Sequence, residues 1–150
     1  HAAGISKGGL LYHFPTKQAL IEGMIRHYLQ RFEGDLNSSA DAIGTEQPGR
    51  LTRAYLETTF ADNERTPRLN AGLLAAIATN PAFLSPVQDS FANWVARLDQ
   101  DQIDPVTTTI IRLVADGLWL VELFGLAPPD PEMKAKVQNT LIALAQSASR

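Results

Sequence analysis

The sequence predicts an all-helical fold, and three observations carry that expectation. Apolar residues recur at three- and four-residue spacing through every long segment, the period of an α-helix with one buried face. The segments are separated by a Thr, Asn, Ser or Asp standing directly before a proline, at Thr66-Pro67, Asn80-Pro81, Ser85-Pro86, Asp104-Pro105 and Asp130-Pro131. Such pairs end one helix or open the next. Almost no stretch alternates apolar and polar residues as a half-buried strand does.

The chain opens with a compact basic stretch from Gly4 to Leu20. Gly4 reads as a turn glycine with positive φ. Ser6 reads as the N-cap of a short helix over Lys7 to Tyr12. Pro15 ends that helix and pushes Phe14 out of helical geometry. Thr16 caps the next helix, with Lys17 in its first turn. A lysine there opposes the helix dipole. Ser6, Lys7, Tyr12, His13 and Lys17 lie close together with no acidic residue before Glu22. That grouping suits a phosphate-facing surface. Leu10, Leu11 and Phe14 read as the core of this small unit. Gly4-Ile5-Ser6-Lys7-Gly8 also fits the nucleophile elbow of sheet-based hydrolases, but no strand precedes it, so the match carries no catalytic reading.

A long helix follows from Thr16 to about Ala40. Its stripe is Leu20, Ile21, Met24, Ile25, Tyr28, Leu29, Phe32 and Leu36. It spans roughly 35 Å at 1.5 Å per residue. Asp41 to Gly49 reads as a loop. A helix over Arg50 to about Asn63 carries Leu51, Ala54 and Tyr55, and a small-residue helix over Leu69 to Thr79 carries Leu73, Leu74 and Ile77. Ser85 reads as the N-cap of a helix bearing Val87, Phe91, Trp94, Val95 and Leu98. Asp99, Asp101 and Asp104 resemble a calcium loop only superficially, because the glycine and the closing glutamate are absent. Asp104 reads instead as an N-cap. The segment 106–124 is apolar nearly all round, so one side of it is expected to meet another subunit. Arg112 and Asp116 are spaced to pair within it. Gly125 stops this helix. Asp130 caps the last one, over 131–147, with Met133, Val137, Leu141 and Leu144.

The bulk composition bounds the function. With 150 residues and 45% apolar content, the chain can bury a real core. The net charge of −3 excludes a generally basic nucleic-acid binder, though not a small basic head on an acidic body. The chain has no cysteine, hence no disulfide or thiolate chemistry. No run is long enough to span a membrane, and no secretory signal is recognisable, so a cytoplasmic location is expected. His1, His13 and His27 are too scattered for a metal site, and no phosphate-binding glycine loop is present. Neither catalytic residues nor a cofactor are expected.

Gly4-Ile5-Ser6-Lys7-Gly8 through Leu10, then Tyr12-His13-Phe14-Pro15-Thr16-Lys17, closely resembles the end of the helix-turn-helix in the TetR family of bacterial transcriptional repressors. One departure is visible: the aromatic residue commonest at the position of Leu11 stands one place on, at Tyr12, turned by about 100 degrees on the helix. The run Leu113-Val114-Ala115-Asp116-Gly117-Leu118-Trp119 resembles the family's dimerisation helix. The resemblance implies that residues 1–20 are the C-terminal part of a DNA-binding domain, with further helices upstream of His1. It implies that residues 21–150 are a ligand-binding and dimerisation domain. It also implies phosphate contacts from Ser6, Tyr12, His13 and Lys17, and base readout from Lys7, Gly8 and Gly9. The implied partners are a palindromic DNA operator, a small-molecule effector, and a second copy met through 106–124 and 131–147. Met24, Tyr28, Phe32, Tyr55, Phe91, Trp94 and Trp119 are the candidate effector contacts, and their apolar character favours an apolar or aromatic molecule. A helical ligand-binding or scaffolding dimer without a DNA role is the alternative.

Overall fold

The computed structural model describes residues 7–44, 47–65 and 67–148, with the backbone alone at 7, 8, 10, 62–65, 67 and 68. Among these residues the chain forms α1 (Lys7–His13), α2 (Lys17–Ile43), α3 (Arg50–Arg65), α4 (Pro67–Thr79), a 3-10 turn (Pro81–Leu84), α5 (Ser85–Leu98), α6 (Pro105–Phe124) and α7 (Pro131–Ser147). The fold is all-α. No helix among the described residues is long and apolar enough to cross a membrane.

Side-chain caps set several helix starts. Thr16 Oγ1 accepts from the Ala19 amide at 3.0 Å and opens α2. Asp104 accepts from the Thr107 amide at 2.8 Å and opens α6. Asp130 accepts from the Met133 amide at 2.8 Å and opens α7. Gly125, at φ 64, closes α6. Ser85 departs from the sequence expectation. Asn80 caps the 3-10 turn by accepting from the Ala82 amide, and that turn runs straight into α5. Leu84, the residue before α5, is already helical and no side chain caps the start, so Ser85 is simply its first residue. Helix α2 also runs past Ala40 to Ile43, because nothing before Gly44 stops it.

Helix α2 is the spine. Ile25, Leu29, Phe32, Leu36 and Ala40 are its buried face, at helical spacing. They pack with Tyr55 and Leu56 of α3, Trp94 and Leu98 of α5, and Ile111 and Ala115 of α6. Full burial of a side chain such as Leu36 or Leu56 contributes roughly 1.5–3 kcal/mol. Helix α6 buries Thr108, Ile111 and Ala115 inward. Its other face is left open: Val106, Leu113 and Phe124 are each more than half exposed, with Ile110 and Leu120 between them. Lys134 of α7 holds Glu122 of α6 at 2.9 Å.

The far end of the bundle is tied by one buried carboxylate. Asp101, in the turn after α5, accepts from the Leu51 amide at 3.0 Å and the Thr52 amide at 2.7 Å. It therefore caps α3 from fifty residues away, where the local sequence supplies no cap. The Asp101 carbonyl accepts from Gly49 N at 2.9 Å, and the Ala148 carbonyl accepts from Asp104 N at 3.1 Å. Gly49 is buried at φ 74, and a Cβ there would lie 3.0 Å from the Ala145 carbonyl oxygen. Asp101→Ala would strand one buried and one part-buried amide and is expected to lower unfolding stability by about 1–3 kcal/mol. Gly49→Ala is expected to lower it by at least about 1–2 kcal/mol through left-handed backbone strain. Urea denaturation of each variant checks both values.

Candidate functional site

A cavity of about 420 Å³ lies among α2, α3, α4, α5 and α6. Each helix supplies it through its own periodicity. Ile25, Tyr28, Leu29 and Phe32 of α2 line one wall at spacings of three and four. Leu113, Asp116, Gly117 and Leu120 of α6 line another at the same spacing. Residues at such spacing share one helix face. Of the residues singled out from the sequence, Tyr28, Phe32, Tyr55, Phe91, Trp94 and Trp119 line this one cavity. Met24 does not; it is on the exposed side of α2. Three of the aromatic residues are core as well as wall: Phe32, Tyr55 and Trp94 are buried. Their rings pack on one another, with centroids 4.7 Å apart for Phe32 and Trp94 and 5.8 Å for Phe32 and Tyr55. Phe91 follows at 5.1 Å from Trp94.

The wall holds few polar groups, and sequence reading did not assign them to a cavity. Thr59, Asn70 and Asp116 are among its lining residues. The Thr59 hydroxyl donates to the Tyr55 carbonyl at 2.8 Å. The Tyr55 hydroxyl donates to Asp116 Oδ1 at 2.6 Å. Arg112 Nη1 reaches Asp116 Oδ2 at 3.2 Å, the pairing that the four-residue spacing predicts. The signal for Asp116 was its place in an apolar helix; only the packing shows that it faces a cavity and meets Tyr55.

Burial pushes the Tyr55 phenol far above its ordinary range, with the Asp116 charge adding to the effect. It stays a donor at any physiological pH. Burial also raises the Asp116 carboxyl, against the lowering influence of the Tyr55 hydrogen bond and of Arg112. A carboxyl raised on folding stays protonated at a pH where the unfolded chain has released its proton. Its contribution to stability is therefore greatest below the ordinary carboxylate range and is lost as pH rises through the raised value. Tyr55→Phe removes a hydrogen bond to the ionised form, so the Asp116 titration is expected to move further upward. Carboxyl carbon-13 NMR across pH 3 to 8 reads the shift directly.

A second polar network joins the cavity wall to α2. The Trp94 indole N–H donates to Glu33 Oε2, and Arg97 Nη1 donates to Glu33 Oε1. Arg97 Nη2 also reaches Asn37 Oδ1 at 2.6 Å. Glu33 and Asn37 lie one turn apart on α2, as do Trp94 and Arg97 on α5. A cavity-lining ring is thus fastened to the spine helix.

The opposite end of α2 meets α1. Phe14 packs so closely on Gly23 that a Cβ at that position would overlap its ring. Tyr12, His13 and Lys17 are exposed there, with Tyr12 84% accessible and its ring edge-on to His13 at 5.3 Å. Gly9 is half-buried within α1. Lys7 and Gly8 belong to α1 by their backbone, and Ser6 lies outside the described residues. Among the described residues no group of His, Asp and Glu is placed to hold a metal ion.

The chain is similar to known proteins in two comparisons. The family model described as the tetracyclin repressor-like C-terminal domain matches residues 49–146, which is well over half of the chain. The HTH-type transcriptional regulator BetI of Ectopseudomonas mendocina (strain ymp) is 28% identical over 129 residues. That alignment covers 79% of this chain and 65% of the relative, so the chain spans just under two thirds of that protein's length. No solved structure matches significantly. The helical bundle, its internal cavity and the family match over α3 to α7 together lead to one conclusion: the chain belongs to the TetR family of transcriptional regulators.

Proposed function

We propose that the protein is a ligand-responsive DNA-binding repressor, released from a palindromic operator when a small apolar or aromatic molecule fills the cavity. One observation carries this reading: a single helix, α2, both lines the cavity with Tyr28, Leu29 and Phe32 and holds the basic stretch through Phe14 on Gly23. Residues 1–20 act as part of the DNA-binding head, and residues 21–150 bind the effector and dimerise. An occupant pressing on Trp94 acts on Glu33, and so on α2. For the switch to work, the occupant must bind the two arrangements with different affinity.

The exposed apolar stripe on α6, with Met133 and Leu144 exposed on α7, is the surface through which two copies pair. Pairing by a two-fold axis brings the same stripe of each copy together. It also places two heads to enter successive major grooves about 34 Å apart. Tyr12, His13, Lys17 and Ser6 contact phosphates, and Lys7, Gly8 and Gly9 face the bases. Two glycines at reading positions allow close backbone approach and supply no side-chain base contact of their own. The protein acts in the cytoplasm, on DNA.

The test is binding by the protein expressed from its complete gene to DNA flanking that gene, across a salt series. Sequence-preferring binding that weakens steeply with salt is the expected result. Binding no tighter than to random DNA would favour a helical scaffold without a DNA role. Lys17→Ala is expected to weaken binding to all sequences alike and to reduce the salt slope by about one. An unchanged slope removes Lys17 from the phosphate contacts.

A further inference from the structure

The cavity wall is largely apolar, and two of its hydroxyls have their protons committed within the wall. The Tyr55 proton goes to Asp116 Oδ1 at 2.6 Å, and the Thr59 proton goes to the Tyr55 carbonyl at 2.8 Å. What these groups still offer an occupant is oxygen lone pairs. Asp116 offers the most. A carboxylate has about four acceptor sites. The structure uses one on each oxygen, for Tyr55 and for Arg112. The Asp116 side chain is 27% accessible, and it lies on the cavity face of α6 between Leu113 and Leu120.

The charge balance narrows the occupant further. Arg112 sits 3.2 Å from Asp116 and neutralises it. An anion entering the cavity would meet the carboxylate. A cation would meet the carboxylate with a guanidinium beside it, after losing its water to an apolar wall. Aromatic faces can attract cations. Here, however, Phe32, Tyr55 and Trp94 are packed edge-on or tilted against one another. Their faces are turned partly to each other instead of forming an open box. The apolar wall, the open acceptor sites of Asp116 and its neutral pairing agree on one ligand chemistry.

We propose that the cavity selects an uncharged, largely apolar or aromatic molecule carrying a hydroxyl or N–H donor, and that Asp116 accepts that donor. The proposal rests on the reading of this cavity as the effector site. It makes Asp116 the specificity-determining residue, with Arg112 and Tyr55 holding its carboxylate in place.

Four biphenyl probes of one shape test it: 4-phenylphenol, 4-methylbiphenyl, biphenyl-4-carboxylate and biphenyl-4-trimethylammonium. Both tryptophans of the chain, Trp94 and Trp119, line the cavity, so intrinsic fluorescence reports occupancy. The expected result is that 4-phenylphenol binds the wild-type protein about tenfold tighter than 4-methylbiphenyl, in line with a hydrogen bond to a charged acceptor. Both ionic probes are expected to bind more weakly than the phenol. Asp116→Ala should erase the advantage of the phenol over the methyl analogue. Asp116→Asn, which keeps the side-chain volume, should diminish it and serves where the alanine variant does not fold. Equal affinity for the phenol and the methyl analogue overturns the donor assignment alone. Tightest binding of the ammonium or the carboxylate probe replaces it with an ionic site. No fluorescence change with any probe overturns the cavity reading itself, and this proposal with it.

Discussion

The arrangement of the bundle depends on Asp101. Its carboxylate supplies the acceptors that the first turn of α3 lacks, and its carbonyl takes the amide of Gly49. The neighbouring Asp104 amide donates to the carbonyl of Ala148, at the end of α7. Three chain segments are thereby fixed at one point. Gln102, between the buried Asp101 and Ile103, holds a left-handed φ of 60. That conformation costs a residue with a side chain about 1–2 kcal/mol, and it stands because the residues on both sides are locked. Arg50 reaches the Ala40 carbonyl and Asp41, so the end of α2 is joined to the same region.

An anchor at one end of α2 gives its other end meaning. The helix is 27 residues long, or about 40 Å at 1.5 Å per residue. Its middle forms a wall of the cavity and its start packs under Phe14. A rod fixed at one end converts a small displacement at its middle into a larger one at its tip. Under the proposed function, the Glu33 network is where such a displacement would enter, because Trp94 is both a wall of the cavity and a donor to that carboxylate. The aromatic core is thus structural and positional together. Phe32, Tyr55 and Trp94 stabilise the bundle by burial, and the gap they border is the cavity.

Helix α6 shows how one sequence serves two surfaces. Thr108, Ile111 and Ala115 face the core, where small residues let α3 approach. Val106, Ile110, Leu113, Leu120 and Phe124 form an exposed stripe, of which Leu113 and Leu120 also line the cavity. So large an apolar patch is unfavourable unless something covers it. Asp116 stands near the border of the two faces, which explains how an acidic residue survives in an apolar helix: Tyr55 and Arg112 satisfy it from the protein side.

The sequence by itself determined the all-helical class and the order of the helices. Those features rest on local physics, namely apolar spacing, proline stops and the caps at Thr16, Asp104 and Asp130. It also singled out six aromatic residues that share the cavity, since stripe position and aromatic character are both local. Packing decided the rest. Met24 sits on the same helix as Tyr28, but it lies about 100 degrees around the helix from the buried Ile25, at the edge of the stripe, where it is exposed. Ser85 has the residue type of a cap, yet the preceding turn leaves no extended backbone for it. Asp101 was legible only as a failed calcium ligand, because its amide partners lie about fifty residues away in sequence. The same holds for Glu33 with Trp94 and for Tyr55 with Asp116. Such contacts depend on where distant helices come to rest, and no local pattern encodes that.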